Sequence, residues 1–67
     1  MLSARNQIAA TVTSVRTDGL MAEVVVQAGD VELVAIITRS SAESLGLKPG
    51  DQVNAVIKST EVMIATP

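Results

Sequence analysis

Apolar residues that alternate with polar ones, in short stretches separated by glycine-containing turns, constrain the fold of this chain more than any other feature. In the first stretch Ile8, Ala10 and Val12 take every second position, which is the period of a strand with one buried face. The segments TDG (17–19) and AGD (28–30) supply the first two turns. The whole pattern predicts strands over residues 8–16, 20–27, 31–38, 52–58 and 61–66.

One short helix interrupts the predicted strands. In RSSAESLG, residues 39–46, Ser40 and Glu43 have the spacing of a capping box, and Gly46 is a typical helix stop. The resulting order, β-β-β-α-β-β, is typical of an OB-like five-stranded Greek-key barrel. We therefore predict an all-β fold with one short helix. Because no linker or repeat interrupts the pattern, we expect a single domain over residues 1–67.

The small size of the chain favours assembly with other copies. Its 67 residues are 48% hydrophobic but include no Phe, Trp, Tyr, Cys or His. The core must therefore be built from small side chains, without a disulfide or a zinc site to reinforce it. Several apolar residues also fall on strand faces opposite the predicted core, namely Val25, Val34, Ile36, Val56 and Met63. We interpret this surplus as subunit interfaces and predict a homo-oligomer.

Charge and composition argue against two classes of partner. The net charge of -2 does not suit a protein that neutralises nucleic-acid phosphates, and a chain without aromatic residues cannot stack on bases. No apolar run approaches the roughly 18 residues of a membrane span, and residues 1–6 contain no hydrophobic signal core. We therefore expect no nucleic acid and no membrane among its partners, and a cytoplasmic location.

Catalysis is hard to build from these residues. Because histidine and cysteine are absent, a serine or cysteine nucleophile with an imidazole base is excluded. The acidic residues lie at turns or at alternating strand positions, without the convergent loop spacing of a calcium or magnesium site. We predict a protein that is not an enzyme and that holds no free metal cation.

Hydroxyl side chains occur together in three short segments, and two of these segments add a cation. The segments contain Ser3 with Arg5, Thr38 with Ser40 and Ser41, and Lys58 with Ser59 and Thr60. In an extended segment the members of the first pair project to the same side. Such groups suit an oxyanion, since Arg and Lys supply charge and hydroxyl groups supply directional donors. The alternative is that they are ordinary turn, capping and solvating residues.

Four segments in order resemble one family. SARN (3–6), AIIT (35–38) followed by Ser41, SLGLKPGD (44–51) and AVIKSTEVMIA (55–65) together are similar to the molbindins. These are small stand-alone molybdate-binding proteins of the Mop/TOBE domain family. The same domain recurs in molybdate-dependent regulators and in molybdate transporter ATPases.

The resemblance implies an OB-like barrel that assembles as a hexamer, a trimer of dimers, and holds molybdate or tungstate at its subunit interfaces. On this basis Arg5 and Lys58 would neutralise the dianion. We expect Ser3 and Arg5 to form one half of the site, with the Lys58 segment contributed by a neighbouring subunit as the other half. The positions that match the family's binding motifs are Ser3, Arg5, Thr38, Ser41, Lys58 and Ser59.

Two departures from the family's pattern bear on this site. In the helix-opening segment RSSAES (39–44), relatives often carry Asn or Glu before the matching serine. Arg39 would therefore add positive charge near the site. The segment STEV (59–62) replaces a common ASEV, which leaves open whether Ser59 acts through its hydroxyl or its backbone N–H. We expect no organic cofactor, because no aromatic residue is present to stack on a pterin. The alternative function is an OB-type structural or interaction module without its own ligand.

Overall fold

The described part of the chain is one curled antiparallel sheet with a short helix. The computed structural model describes residues 5–67. Its elements, in chain order, are β1 (Asn6–Asp18), β2 (Met21–Ala28), β3 (Val31–Thr38), α1 (Arg39–Leu45) and β4 (Gln52–Ile57), followed by a 3-10 turn at Ser59–Glu61. The strands lie in the order β3-β2-β1-β4, and each neighbouring pair is antiparallel.

The first strand is long enough to serve two partners. Residues 6–11 of β1 pair with β4, and residues 11–18 pair with β2. A β-bulge shifts the register between Val12 and Ser14. Thr13 lies in this bulge, and its hydroxyl donates to a carbonyl of β2 at 3.1 Å. Because a bulge bends a strand and increases its twist, β1 curls and carries β4 round toward the concave face of the sheet.

The core lies on that concave face and is made of small side chains. Its fully buried members alternate along β1 and β2, as expected for strands with one buried face. They are Ala10, Val12, Val24 and Val26. Val12 is 1% exposed, and a ring of half-buried residues packs around the cluster, namely Val15, Ala28, Leu33, Ile37, Leu47 and Val53.

One side of the curled sheet stays open. Within residues 5–67, the edge strands β3 and β4 do not pair with each other. Between them runs an apolar groove of about 320 Å³, which continues along the C-terminal end of α1. Residues from all four strands and from α1 line it, including Leu33, Ile37, Leu45, Val53 and Ile57. The part of the chain that the structure describes is therefore a half-barrel, in which the outer edges of β3 and β4 are unpaired.

The predicted fold class is confirmed, but the predicted fifth strand is wrong. The chain is mostly β with one short helix. Residues 61–66 lie outside the sheet in the part of the chain that the structure describes, and the 3-10 turn takes up the first of them. Met63 and Ile64 are 91% and 89% exposed. The apolar character that predicted a strand here is real, but residues 5–67 offer the segment no ladder partner.

The apolar surplus on the outer strand faces is also visible. Val34, Ile36 and Val56 are exposed, on the face of the sheet away from the core. Val34 lies opposite Val25 in the β2–β3 ladder, so the two form part of one outer patch.

Among the residues described, no helix is long and apolar enough to cross a membrane.

Candidate oxyanion site

Thr38 and Ser41 form a hydrogen-bonded pair at the start of α1. Thr38 is extended, with φ -72° and ψ 148°, and its Oγ1 accepts a hydrogen bond from the backbone N–H of Ser41 at 3.0 Å. The same hydroxyl donates to Ser41 Oγ at 2.7 Å. Because each hydroxyl has one proton, this arrangement directs the Ser41 proton away from Thr38. Ser41 can thus donate to an acceptor outside the chain.

This geometry corrects the predicted helix cap. The sequence suggested Ser40 as the N-cap with Glu43 completing a capping box, whereas the N-cap is Thr38. Thr38 and Ser40 are both hydroxyl residues that can cap a helix. Because β3 ends at Thr38, the helix begins directly after it and Thr38 becomes the cap. The predicted stop is confirmed: Gly46 has φ 62°, and its N–H donates to the Glu43 carbonyl at 3.0 Å. Such a left-handed conformation favours glycine.

Arg5 and Lys58 lie at the same end of the β1–β4 ladder. The terminal pair of that ladder is Asn6 with Ile57, and Arg5 and Lys58 each stand one residue beyond it. Ser59 follows directly and opens the 3-10 turn, in which the Glu61 N–H donates to the Lys58 carbonyl at 2.9 Å. Arg5, Lys58 and Ser59 are exposed. Two positive charges and a hydroxyl are thus presented together to solvent.

The register separates the candidate residues into two groups. Thr38 pairs with Met21, and Met21 pairs with Asp18, the last residue of β1. Asn6, beside Arg5, is the first residue of the same strand. We call Thr38 and Ser41 the Thr38 half-site, and Arg5, Lys58 and Ser59 the Arg5 half-site. They lie at opposite ends of the 13-residue strand β1.

Arg5 therefore lies beside Lys58 of its own chain, and no neighbouring subunit is needed to join these two cations. Instead, Thr38 and Ser41 are the candidates that stand apart. Ser3 lies outside the described residues.

A further charged pair stands next to the Thr38 half-site. Arg39 Nε lies 3.5 Å from Glu43 Oε1, one helical turn along α1. The backbone of Arg39 is anchored, since its N–H donates to the Leu20 carbonyl at 2.8 Å. The sequence pattern predicted Glu43 as a capping residue, and this ion pair was not predicted. The signal that could have revealed it is the i, i+4 spacing of opposite charges on a helix.

Together these groups suit recognition of an anion. Arg and Lys provide charge, and hydroxyl and backbone N–H groups provide directional donors that tetrahedral oxyanions accept. Every described member of the two half-sites is exposed, so each half-site alone presents donors on an open surface.

Comparison with known proteins identifies the family. The TOBE domain family matches residues 2–64. Molybdenum-pterin-binding protein 3 of Clostridium pasteurianum is 47% identical over 64 residues, which cover 94% of each chain. The structure of a molybdate-binding protein from Sporomusa ovata superposes with a TM-score of 0.94 at 39% identity, covering 98% of both chains. A molybdate-bound structure of the cytoplasmic molybdate-binding protein ModG gives a TM-score of 0.93 at 37% identity; all of this chain matches 48% of that one. This protein belongs to the TOBE-domain family, and within it to the group of small molybdenum-pterin-binding proteins.

Proposed function

We propose that this protein binds molybdate, or the closely similar tungstate, without changing it chemically, and that it serves as a cytoplasmic molybdenum store or buffer. The observation that carries the proposal is the paired donor sets, Arg5 with Lys58 and Thr38 with Ser41, on a fold that superposes on a molybdate-binding protein with a TM-score of 0.94. Relatives that match nearly the whole chain are named molybdenum-pterin-binding proteins.

The charges of the Arg5 half-site supply the attraction. Molybdate is a dianion, and Arg5 and Lys58 offer it two positive charges. Hydrogen bonds from charged donors are about twice as strong as neutral ones, so these two residues should supply most of the affinity. The hydroxyls of Thr38, Ser41 and Ser59 then orient the oxygens. A pterin finds no stacking surface in a chain without aromatic residues, so we propose the bare oxyanion as the ligand.

The separation of the half-sites supports a site that is shared between copies of the chain. A site built from both half-sites needs Arg5 and Lys58 of one copy to meet Thr38 and Ser41 of another. Two further features support assembly: the unpaired edges of β3 and β4, and the exposed apolar residues of the C-terminal segment, Met63 and Ile64. We propose a homo-oligomer, and specifically a hexamer arranged as a trimer of dimers.

The ligand and the assembly can be tested on one preparation. Elemental analysis of the purified protein after dialysis against molybdate should find bound molybdenum, and light scattering should give about six times the 6.9 kDa of one chain. A parallel dialysis against tungstate distinguishes the two oxyanions. If no oxyanion is retained, the alternative of an OB-type interaction module without its own ligand replaces this proposal.

The residue assignment needs variants that change charge without changing the fold. Arg5→Ala and Lys58→Ala should each weaken molybdate binding at least about tenfold by isothermal titration, the loss expected when a charge-assisted hydrogen bond disappears. Lys48→Ala is the matched control, because Lys48 is an exposed cation already paired with Asp51 at 3.2 Å. If Arg5→Ala and Lys58→Ala bound molybdate as tightly as the control, the site assignment would be wrong.

A further inference from the structure

The groove between β3 and β4 leaves the core of the half-barrel uncovered on one side. Its lining includes Val12, Val24 and Val26, which are the buried members of the core cluster. Among the described residues that line the groove, Asn54 alone is polar. The strands on either side each keep one edge without a ladder partner in residues 5–67. The groove therefore offers apolar contacts together with free backbone hydrogen-bonding groups, the two features that an added strand uses.

The C-terminal segment, residues 62–66, has the matching properties. Its sequence VMIAT contains four apolar residues and no charge. Val62 is extended, with φ -88° and ψ 127°, and the side chains of Met63 and Ile64 are almost fully exposed. Within the described part of the chain, no backbone hydrogen bond joins this segment to the sheet or to a turn. The segment is thus strand-like in composition and has its own hydrogen-bonding groups available.

The segment also fits the groove in length and charge. Five extended residues span about 17 Å, and the six residues of β4 span about 20 Å. One strand placed between β3 and β4 would close the half-barrel into a five-stranded barrel and remove both unpaired edges. Because the segment is uncharged, its burial against an apolar lining leaves no charge without a partner.

The segment does not occupy the groove of its own chain. A 3-10 turn at Ser59–Glu61 separates it from the end of β4, and none of residues 62–66 contributes to the lining described for the groove. A second copy of the chain carries the same exposed segment and the same open groove. Around a two-fold axis each copy can therefore give its segment and receive that of the other.

We propose that residues 62–66 of one copy lie in the groove of a second copy as a fifth strand between β3 and β4, and that the exchange is reciprocal. The inference rests on the homo-oligomer proposed above and is independent of the ligand. It gives one explanation for three features of the single chain: the uncovered core, the two unpaired edges and the exposed apolar C-terminal segment. The exchange joins copies in pairs, which is the first level of a trimer of dimers.

The direct test is nuclear magnetic resonance on full-length protein without molybdate. Methyl-labelled and unlabelled chains are mixed in denaturant and refolded together, so that isotope-filtered spectra report contacts between chains alone. We expect contacts between chains from the methyl groups of Met63 or Ile64 to those of Leu33 or Val53. If such contacts occur only within one chain, or are absent while light scattering shows an oligomer, the exchange is refuted. A monomeric parent would refute the proposed homo-oligomer as well, whereas molybdate binding is decided separately by dialysis.

Charged variants provide a second test. Because adjacent strand residues point to opposite faces, one of Met63→Asp and Ile64→Asp should place a carboxylate in the apolar groove. That variant should weaken association of the copies at least about a hundredfold in analytical ultracentrifugation. Leu20→Asp is the matched control, since Leu20 is 85% exposed and lies in the β1–β2 turn; it should change association less than about twofold. If both segment variants associate as tightly as this control, the segment does not enter the groove.

Discussion

Complementation between two inactive variants tests the separation of the half-sites directly. The double variant Arg5→Ala/Lys58→Ala disables one half-site. Ser41→Asp disables the other, because it replaces a hydroxyl donor by an anionic acceptor while the backbone N–H that bonds to Thr38 Oγ1 at 3.0 Å is retained. Each variant alone should bind little molybdate. When the two are co-expressed and assemble together, some interfaces combine an intact Arg5 half-site with an intact Thr38 half-site.

The expected recovery follows from the geometry. In a random equal mixture each interface receives an intact Arg5 half-site with a chance of one half, and an intact Thr38 half-site with the same chance. About a quarter of the sites should therefore be restored, whatever the symmetry of the assembly. Equilibrium dialysis followed by elemental analysis measures the bound molybdenum per chain against the parent protein.

The control is the same pair of variants expressed separately and mixed only before dialysis, which should bind no more than the mean of the two. If the co-expressed sample also stays at that level, while its assembly matches the parent, the half-sites do not meet between chains. The inference from strand register would then be refuted, even if the parent binds molybdate well.

Three further predictions concern stability and the helix cap. Val12→Ala removes two methyl groups from a side chain that is 1% exposed and should lower the free energy of unfolding by about 2–3 kcal/mol; urea denaturation should show a loss below about 1 kcal/mol for Val31→Ala, whose side chain is 55% exposed. Gly46→Ala places a Cβ on a residue with φ 62° and should cost about 1 kcal/mol, whereas Ser44→Ala on the exposed face of α1 should be nearly neutral in the same thermal melts. Thr38→Val removes the capping hydroxyl and should cost about 1 kcal/mol as well as weakening molybdate binding, while Thr38→Ser should retain both properties; equal behaviour of the two would contradict the cap geometry.

The strand pattern predicted the sheet well because the buried face imposes its period on the sequence. Val24 and Val26 alternate as predicted and lie in the core. The bounds of β1 were predicted too short, as 8–16 instead of Asn6–Asp18. The four residues added, two at each end, are all polar, and they pair through the backbone, which requires no apolar side chain. An apolar pattern therefore reports the buried middle of a strand and misses its exposed ends.

The failed prediction of a last strand has a different cause. Residues 61–66 contain apolar side chains of the kind that strands use, yet Met63 and Ile64 are exposed in the single chain. Side-chain composition indicates that a segment is suited to a ladder, but it does not indicate which chain supplies the partner. A strand that depends on another copy cannot be distinguished by sequence from one that is completed within the chain.

The sequence nominated the candidate residues, but it did not predict how they are arranged in the fold. Thr38 and Ser41 are close in sequence, so their contact could be anticipated from local structure. The proximity of Arg5 to Lys58, and the distance of both from Thr38, depend on the registers of β1 with β4 and with β2. A bulge near Val12 shifts one of those registers, and no local spacing in the sequence reveals that shift.

The division of β1 between two partners also has a consequence for the order in which the chain folds. The β1–β2 and β2–β3 ladders join neighbours in sequence across short turns, whereas the β1–β4 ladder joins residues as distant as Asn6 and Ile57. Because closing a long loop costs more entropy than closing a short one, the three-stranded meander should form first and β4 should dock last. In hydrogen-exchange measurements, residues 6–10 should lose protection together with β4, in openings that leave the meander intact. The Arg5 half-site would then belong to the segment of the protein that is completed last and opens first.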